Sequence, residues 1–188
     1  MEIATKDIEE AEKNKILVWN LSRRSIANIP QQFYNLTSLR VLHLNNNSIK
    51  SISSSIEKLQ SLEILDLSSN RLQEIPPELG NLRKLKVLML YNNSINDIPY
   101  TIGGLVELEV LSVGYILKFF CSNDRCNNLN WVPIELNTCK KLKKLSLNHN
   151  RLTAIDNLLE WLVDLEELNI SQNKIQFLPS NSILVLFV

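Results

Sequence analysis

Leucine and isoleucine recur along the chain in a fixed relation to asparagine and proline. Six stretches fit the frame Leu-x-x-Leu-x-Leu-x-x-Asn-x-Ile-x-x-Ile-Pro, and a seventh, imperfect one opens at Ile16. The leading leucines are Leu39, Leu62, Leu85, Leu108, Leu142 and Leu165, so the steps are 23, 23, 23, 34 and 23 residues. A fixed period of this size predicts a solenoid of stacked coils. In each unit the alternating segment, such as Leu62-Glu63-Ile64-Leu65-Asp66-Leu67, puts two leucines on one face and predicts a short strand. The limb that follows spaces its apolar residues more widely and carries Pro30, Pro76, Pro99, Pro133 or Pro179. A proline cannot donate to a strand ladder, so this limb is expected on the convex side as turns, extended chain or single-turn helices. The class is α/β, with the leucines of each coil buried only when its neighbours stack on it.

Polar positions within the frame carry the next layer of prediction. Asn47, Asn70, Asn93, Asn127, Asn150 and Asn173 sit between positions that the frame buries. Each amide must therefore bond backbone, and the row is expected to form a ladder from coil to coil. Asn92 stands one residue before Asn93 and points outward, so its truncation is expected to be nearly silent. Arg40, Glu63, Lys86, Glu109, Lys143 and Glu166 follow the leading leucines with alternating sign. Strands about 4.8 Å apart would set each charge between two of opposite sign, which reads as support for register rather than as a binding stripe.

The frame divides the chain into residues 1–15, 16–179 and 180–188. Thr5 to Lys13 are predicted as a short capping helix with Ile8 and Ala11 inward. In the first unit Arg24 takes the place of the ladder asparagine, as suits an end with no preceding coil. After Pro179 the run Ile183 to Val188 is apolar where a capping coil would be polar. It reads as a truncated product, an atypical gene model or an edge covered by another chain, and it predicts self-association through that end. The unit led by Leu108 contains eleven extra residues between Val113 and Asn127, beginning Tyr115-Ile116-Leu117-Lys118-Phe119-Phe120. This insertion is a partner-binding loop, a flap folded onto the solenoid, or a translated non-coding segment.

Composition excludes more than it assigns. Twenty basic residues balance twenty acidic ones and are scattered, which argues against nucleic acid. The start lacks a signal-peptide pattern, and the longest apolar run is too short to span a bilayer. Three cysteines, an odd number, point to a reducing compartment and a cytoplasmic location. Cys139 stands at a frame position held elsewhere by leucine and reads as core. Cys121 and Cys126 lie close together, but with only His43 and His149 elsewhere they make no convincing zinc site. Triplets such as Asn169-Ile170-Ser171 follow from the repeat and would matter as glycan acceptors only in an exported chain. No phosphate-cradling loop, paired histidine or serine nucleophile motif appears, so neither a catalytic role nor a cofactor or metal is expected.

Three columns of strand residues face outward on the concave side. The first is Val18, Val41, Ile64, Val87, Val110, Lys144 and Glu167. The second is Asn20, His43, Asp66, Met89, Ser112, Ser146 and Asn169, and the third is Ser22, Asn45, Ser68, Tyr91, Gly114, Asn148 and Ser171. Valine and isoleucine in the first column also suit packing between strands. Aromatic anchors ringed by neutral polar groups are what interface centres contain. The candidate partner-binding residues are therefore His43, Asp66, Met89 and Tyr91, with Tyr115, Phe119 and Phe120 from the insertion.

Units such as residues 82 to 99 and 62 to 76 resemble intracellular leucine-rich repeats of the 23-residue class, over about 16 to 179. Similar arrays occur in Ras suppressor and Shoc2-type scaffolds, in plant Ras-group-related proteins and ahead of the nuclease domain of Ccr4-type deadenylases. The resemblance implies a right-handed solenoid with parallel strands on its concave face and a non-catalytic role in protein binding. It further implies a signalling scaffold or adaptor, with a small GTPase or phosphatase complex as partner. The alternatives are the targeting portion of an enzyme of deadenylase or cyclase type, a structural subunit of a larger assembly, or an incomplete product without independent function.

Overall fold

The computed structural model describes residues 3–114, 127–155 and 158–177. Seven three-residue strands form one parallel sheet in chain order: β1 (Val18–Asn20), β2 (Val41–His43), β3 (Ile64–Asp66), β4 (Val87–Met89), β5 (Val110–Ser112), β6 (Lys144–Ser146) and β7 (Glu167–Asn169). The first column runs unbroken through the register, from Val18↔Val41 to Lys144↔Glu167. β5 and β6 pair without a slip although the insertion lies between them.

The leucines beneath the strands, Leu42, Leu65, Leu88, Leu111 and Leu145, are buried together with the leading leucines from Leu39 to Leu142 in one continuous core. Full burial of one such side chain contributes about 1.5–3 kcal/mol, and each is enclosed only by the coils on either side. The coil of β1 uses a different filling. Trp19 takes the central strand position, and its ring stacks on buried Phe33 with centroids 5.4 Å apart. Helix α1 (Thr5–Lys13) packs beside it with Ile8 and Ala11 buried.

Opposite the sheet, the return limbs form five-residue 3₁₀ turns at Gln31–Asn35, Ser54–Lys58, Pro77–Asn81, Tyr100–Gly104 and Ile134–Thr138. Four of them begin directly after Pro30, Pro76, Pro99 and Pro133, whose fixed φ presets the entry. A short helix, α2 (Leu158–Trp161), stands at the equivalent place in the next coil. Successive turns pack on one another, and side chains tie them together: Thr101 Oγ1 donates to Pro77 O at 2.7 Å and Thr138 Oγ1 to Gly103 O at 2.6 Å. The approach is close enough that a Cβ on Gly80 would lie 2.0 Å from Thr101 O.

The asparagine ladder forms at all six positions. In the repeating pattern the side-chain oxygen accepts an N–H from the preceding coil, while Nδ2 donates to one carbonyl of its own coil and one of the preceding coil. Asn93 accepts from Leu72 N (3.0 Å) and donates to Leu67 O (3.0 Å) and Leu90 O (2.9 Å). Asn127, the first residue described after the insertion, makes the same set with Ile95 N (2.8 Å), Leu90 O (3.1 Å) and Val113 O (2.6 Å). The ladder therefore crosses the interruption. Asn47 at the first step accepts two N–H groups, from Arg24 and Ile26.

One polar position behaves differently from expectation. Asn92 is half-buried at φ 56°, and Arg23, Asn46, Ser69, His149 and Gln172 at the same frame position also have positive φ. At these six described positions the chain turns out of the strand through a left-handed residue, so Asn92 is conformationally constrained.

The charge row closes in part. Glu63 is held by Arg40 Nε at 2.6 Å and Lys86 Nζ at 3.0 Å, and Lys143 reaches Glu109 at 3.6 Å. Lys86 and Glu109, and likewise Lys143 and Glu166, form no ion pair among the described residues. Lys86 has its ammonium committed to Glu63, and Lys144 pairs with Glu167 at 2.5 Å one position further on. Cys121, Cys126 and the tail from 180 lie outside the described residues. Cys139 is a free, buried thiol as its leucine-like position implies. Burial pushes its pKa up to about 11. No described helix is long and apolar enough to cross a membrane.

Candidate functional site: the concave face

Parallel pairing sets His43, Asp66 and Met89 side by side in the second column, with Ser112 next. Tyr91 follows two residues after Met89. Its carbonyl accepts Ser69 N at 2.8 Å, which fixes the backbone where the ring leaves the sheet. His43, Met89 and Tyr91 are half-buried, and so are Val41, Ile64, Val87 and Val110 of the first column. This apolar middle is flanked by Asn20 and Asn45 toward β1 and by Ser146 and Asn169 toward β7.

Asp66 differs from its neighbours. It is buried, and its Oδ1 accepts from Ser68 N at 3.0 Å and Ser68 Oγ at 2.6 Å. Its Oδ2 lies 3.9 Å from His43 Nδ1. Oδ1 is thus committed inside the protein, and the buried side chain offers a partner little surface. Tyr115, Phe119 and Phe120 lie outside the described residues, so the grouping of Tyr115 with Met89 and Tyr91 remains a sequence expectation.

The bonds at Asp66 belong to a recurring device that the repeat frame alone does not reveal. Asn20 accepts from Ser22 N (3.0 Å) and Oγ (2.6 Å), and Asn169 accepts from Ser171 N (3.2 Å) and Oγ (2.7 Å). These are Asx turns closing the strand ends. Their signal is present in the sequence as Asn/Asp-x-Ser spanning the second and third columns. The triplet Asn169-Ile170-Ser171, considered above as a glycan acceptor, has its amide oxygen in such a turn. At the corresponding place in the preceding coil, Ser146 Oγ donates to Asn148 Oδ1 at 2.8 Å. Gly114 allows that amide to lie across it, because a Cβ there would be 2.0 Å from Asn148 Oδ1.

Charge at the rim is largely neutralised in place. Hydrogen bonds from Lys86 and then Arg40 hold Glu63 below the usual glutamate pKa, while the hydrogen bond and charge of Glu167 raise Lys144. Among the described residues no cluster of His, Cys, Asp and Glu could hold a metal ion. The geometry is that of a broad, nearly neutral surface with a soft apolar and aromatic centre, suited to binding a polypeptide.

The Leucine-rich repeat region family matches residues 18–178, and the chain belongs to that family. Among solved structures it is similar to a leucine-rich-repeat protein of Leptospira interrogans, with 28% identity and a TM-score of 0.73 over 95% of this chain and 49% of that one. It is similar to the leucine-rich-repeat ectodomain of the Arabidopsis thaliana receptor kinase GASSHO1/SCHENGEN3, solved in complex with CASPARIAN STRIP INTEGRITY FACTOR 2, with 31% identity and a TM-score of 0.60 over 81% of this chain and 21% of that one. The PEPR1–AtPEP1 structure shares the fold, at 24% identity and a TM-score of 0.68 over 93% of this chain and 27% of that one. The chain thus spans half or less of the length of each. Comparison with curated protein sequences found no match.

Proposed function

We propose that this chain is a non-catalytic protein-binding module whose docking surface is the concave face, centred on Met89 and Tyr91. The observation that carries the proposal is the unbroken register from β1 to β7, which gathers residues from separate coils into one surface with an apolar centre and neutral polar flanks. Membership of the leucine-rich repeat family supports it, as does the likeness to an ectodomain solved in complex with CASPARIAN STRIP INTEGRITY FACTOR 2. A scaffold or adaptor role in the cytoplasm, with a small GTPase or phosphatase complex as partner, follows from the resemblance to Ras suppressor and Shoc2-type arrays. The buried free thiol of Cys139 suits a reducing compartment.

The experiment is affinity purification from the native cell with the wild-type chain and with a Met89→Ala/Tyr91→Ala double variant, followed by calorimetry on the recovered partner. Truncating two anchors should weaken binding by about 2 kcal/mol or more, with folding retained because both side chains project from the sheet. Salt should have only a mild effect on a neutral surface. Undiminished affinity of the double variant would remove the docking site from the centre of the concave face.

A further inference from the structure

A second surface lies opposite the sheet, where the return limbs of three successive coils meet. Tyr100 opens one 3₁₀ turn, Trp131 stands just before the next, and that turn supplies Ile134 and Glu135. With Ile155 and Leu158 from the following coil they line a cleft of about 460 Å³. Tyr100 is 67% exposed and Trp131 49%, although both rings border an apolar floor. Glu135 is the one charged residue of the described lining, and its carboxylate forms no ion pair among the described residues. On the same side of the protein one aromatic ring, that of Trp161, already carries a cation, Lys140. Its Nζ lies 4.9 Å from the centroid of the Trp161 ring and donates to Trp161 O at 3.0 Å. Among the described residues no cation occupies the equivalent place over Tyr100 or Trp131.

We propose that this cleft receives an arginine side chain presented by a partner polypeptide. A guanidinium is flat, weakly hydrated and able to stack on aromatic faces while its N–H fork meets a carboxylate. Here Tyr100 and Trp131 supply the faces, Glu135 the carboxylate, and the floor of Ile155 and Leu158 takes the methylene stem. An apolar peptide would leave Glu135 desolvated without a partner, and an acidic one would meet it with like charge. The cleft is a binding site distinct from the concave face.

The test uses the full chain labelled with nitrogen-15 and titrated with N-acetyl-arginine amide, then with N-acetyl-citrulline amide, which keeps the shape and loses the charge. The Trp131 indole N–H resonance, assigned with Trp131→Phe, should shift saturably with the arginine probe. The citrulline probe should bind at least about fivefold more weakly, and Glu135→Gln should remove that preference, as loss of one ion pair beside an aromatic face implies. Met89→Ala/Tyr91→Ala should leave the titration unchanged. The proposal is overturned if no saturable shift occurs in the well-dispersed spectrum of the folded chain, or if the citrulline probe or N-acetyl-proline amide binds as well. A Glu135→Gln chain that keeps its preference for arginine would overturn it too, as would an effect of the concave double variant.

Discussion

Replacing Asn93 by alanine removes the acceptor of Leu72 N and the donor to Leu67 O and Leu90 O, three bonds of 2.9 to 3.0 Å in a site closed to solvent. Each buried backbone group left without a partner costs about 1–3 kcal/mol. The three losses share one site and a water molecule can enter the polar gap, so they do not add fully. The expected total is about 3 kcal/mol. The neighbouring substitution calibrates the frame. Asn92→Ala places a Cβ-bearing residue without a compensating amide at φ 56° and gives up the 3.3 Å bond from Nδ2 to Ser69 Oγ, for about 1 kcal/mol. Asn92→Gly, free of the left-handed penalty, should be close to neutral. Urea unfolding followed by far-ultraviolet circular dichroism measures all three, with an unchanged slope showing that the midpoint reports stability. Equal losses at 92 and 93, or a larger loss for Asn92→Gly than for Asn93→Ala, would refute the ladder as the bond between coils.

Two further substitutions address the sheet. Glu63 has its folded pKa lowered by Lys86 and Arg40, so its contribution is present above the ordinary glutamate pKa and is lost as pH falls through the folded value. Glu63→Gln should flatten that acid limb of the stability profile, and an unchanged limb would show that the pairs do not couple to folding. Gly114→Ala drives a Cβ into Asn148 Oδ1 and should cost about 1–3 kcal/mol in a thermal melt, partly recovered by Asn148→Ala. A melt indistinguishable from wild type would mean that the two coils do not approach as closely there.

What could be read in the sequence is what repeats. Strand positions, their register and the six ladder asparagines follow from counting, because each coil imposes the same burial on the same position. The left-handed residue that follows six of the strands is not legible, because Arg23, Asn46, Ser69, Asn92, His149 and Gln172 share no side-chain chemistry; the backbone path alone demands the conformation. The column position of Asp66 follows from counting, but its burial goes with the bonds from Ser68 and the nearby His43 ring, which a column does not record. The cleft at Tyr100, Trp131 and Glu135 escaped for a related reason. Its lining falls at equivalent frame positions of successive coils, as with Tyr100 and Ile134, Trp131 and Ala154, or Glu135 and Leu158, but the side chains there differ in chemistry, so counting alone does not mark them.

Hydroxyl-radical footprinting of the chain with and without its recovered partner tests the docking face most directly, since Met, Tyr, Trp and His side chains report their own exposure. Docking on the concave face predicts that oxidation of Met89 and Tyr91 slows sharply in the complex, with His43 following, while Trp161 on the opposite side keeps its rate. Met89 and Tyr91 oxidising equally fast in the free and bound chain would contradict it.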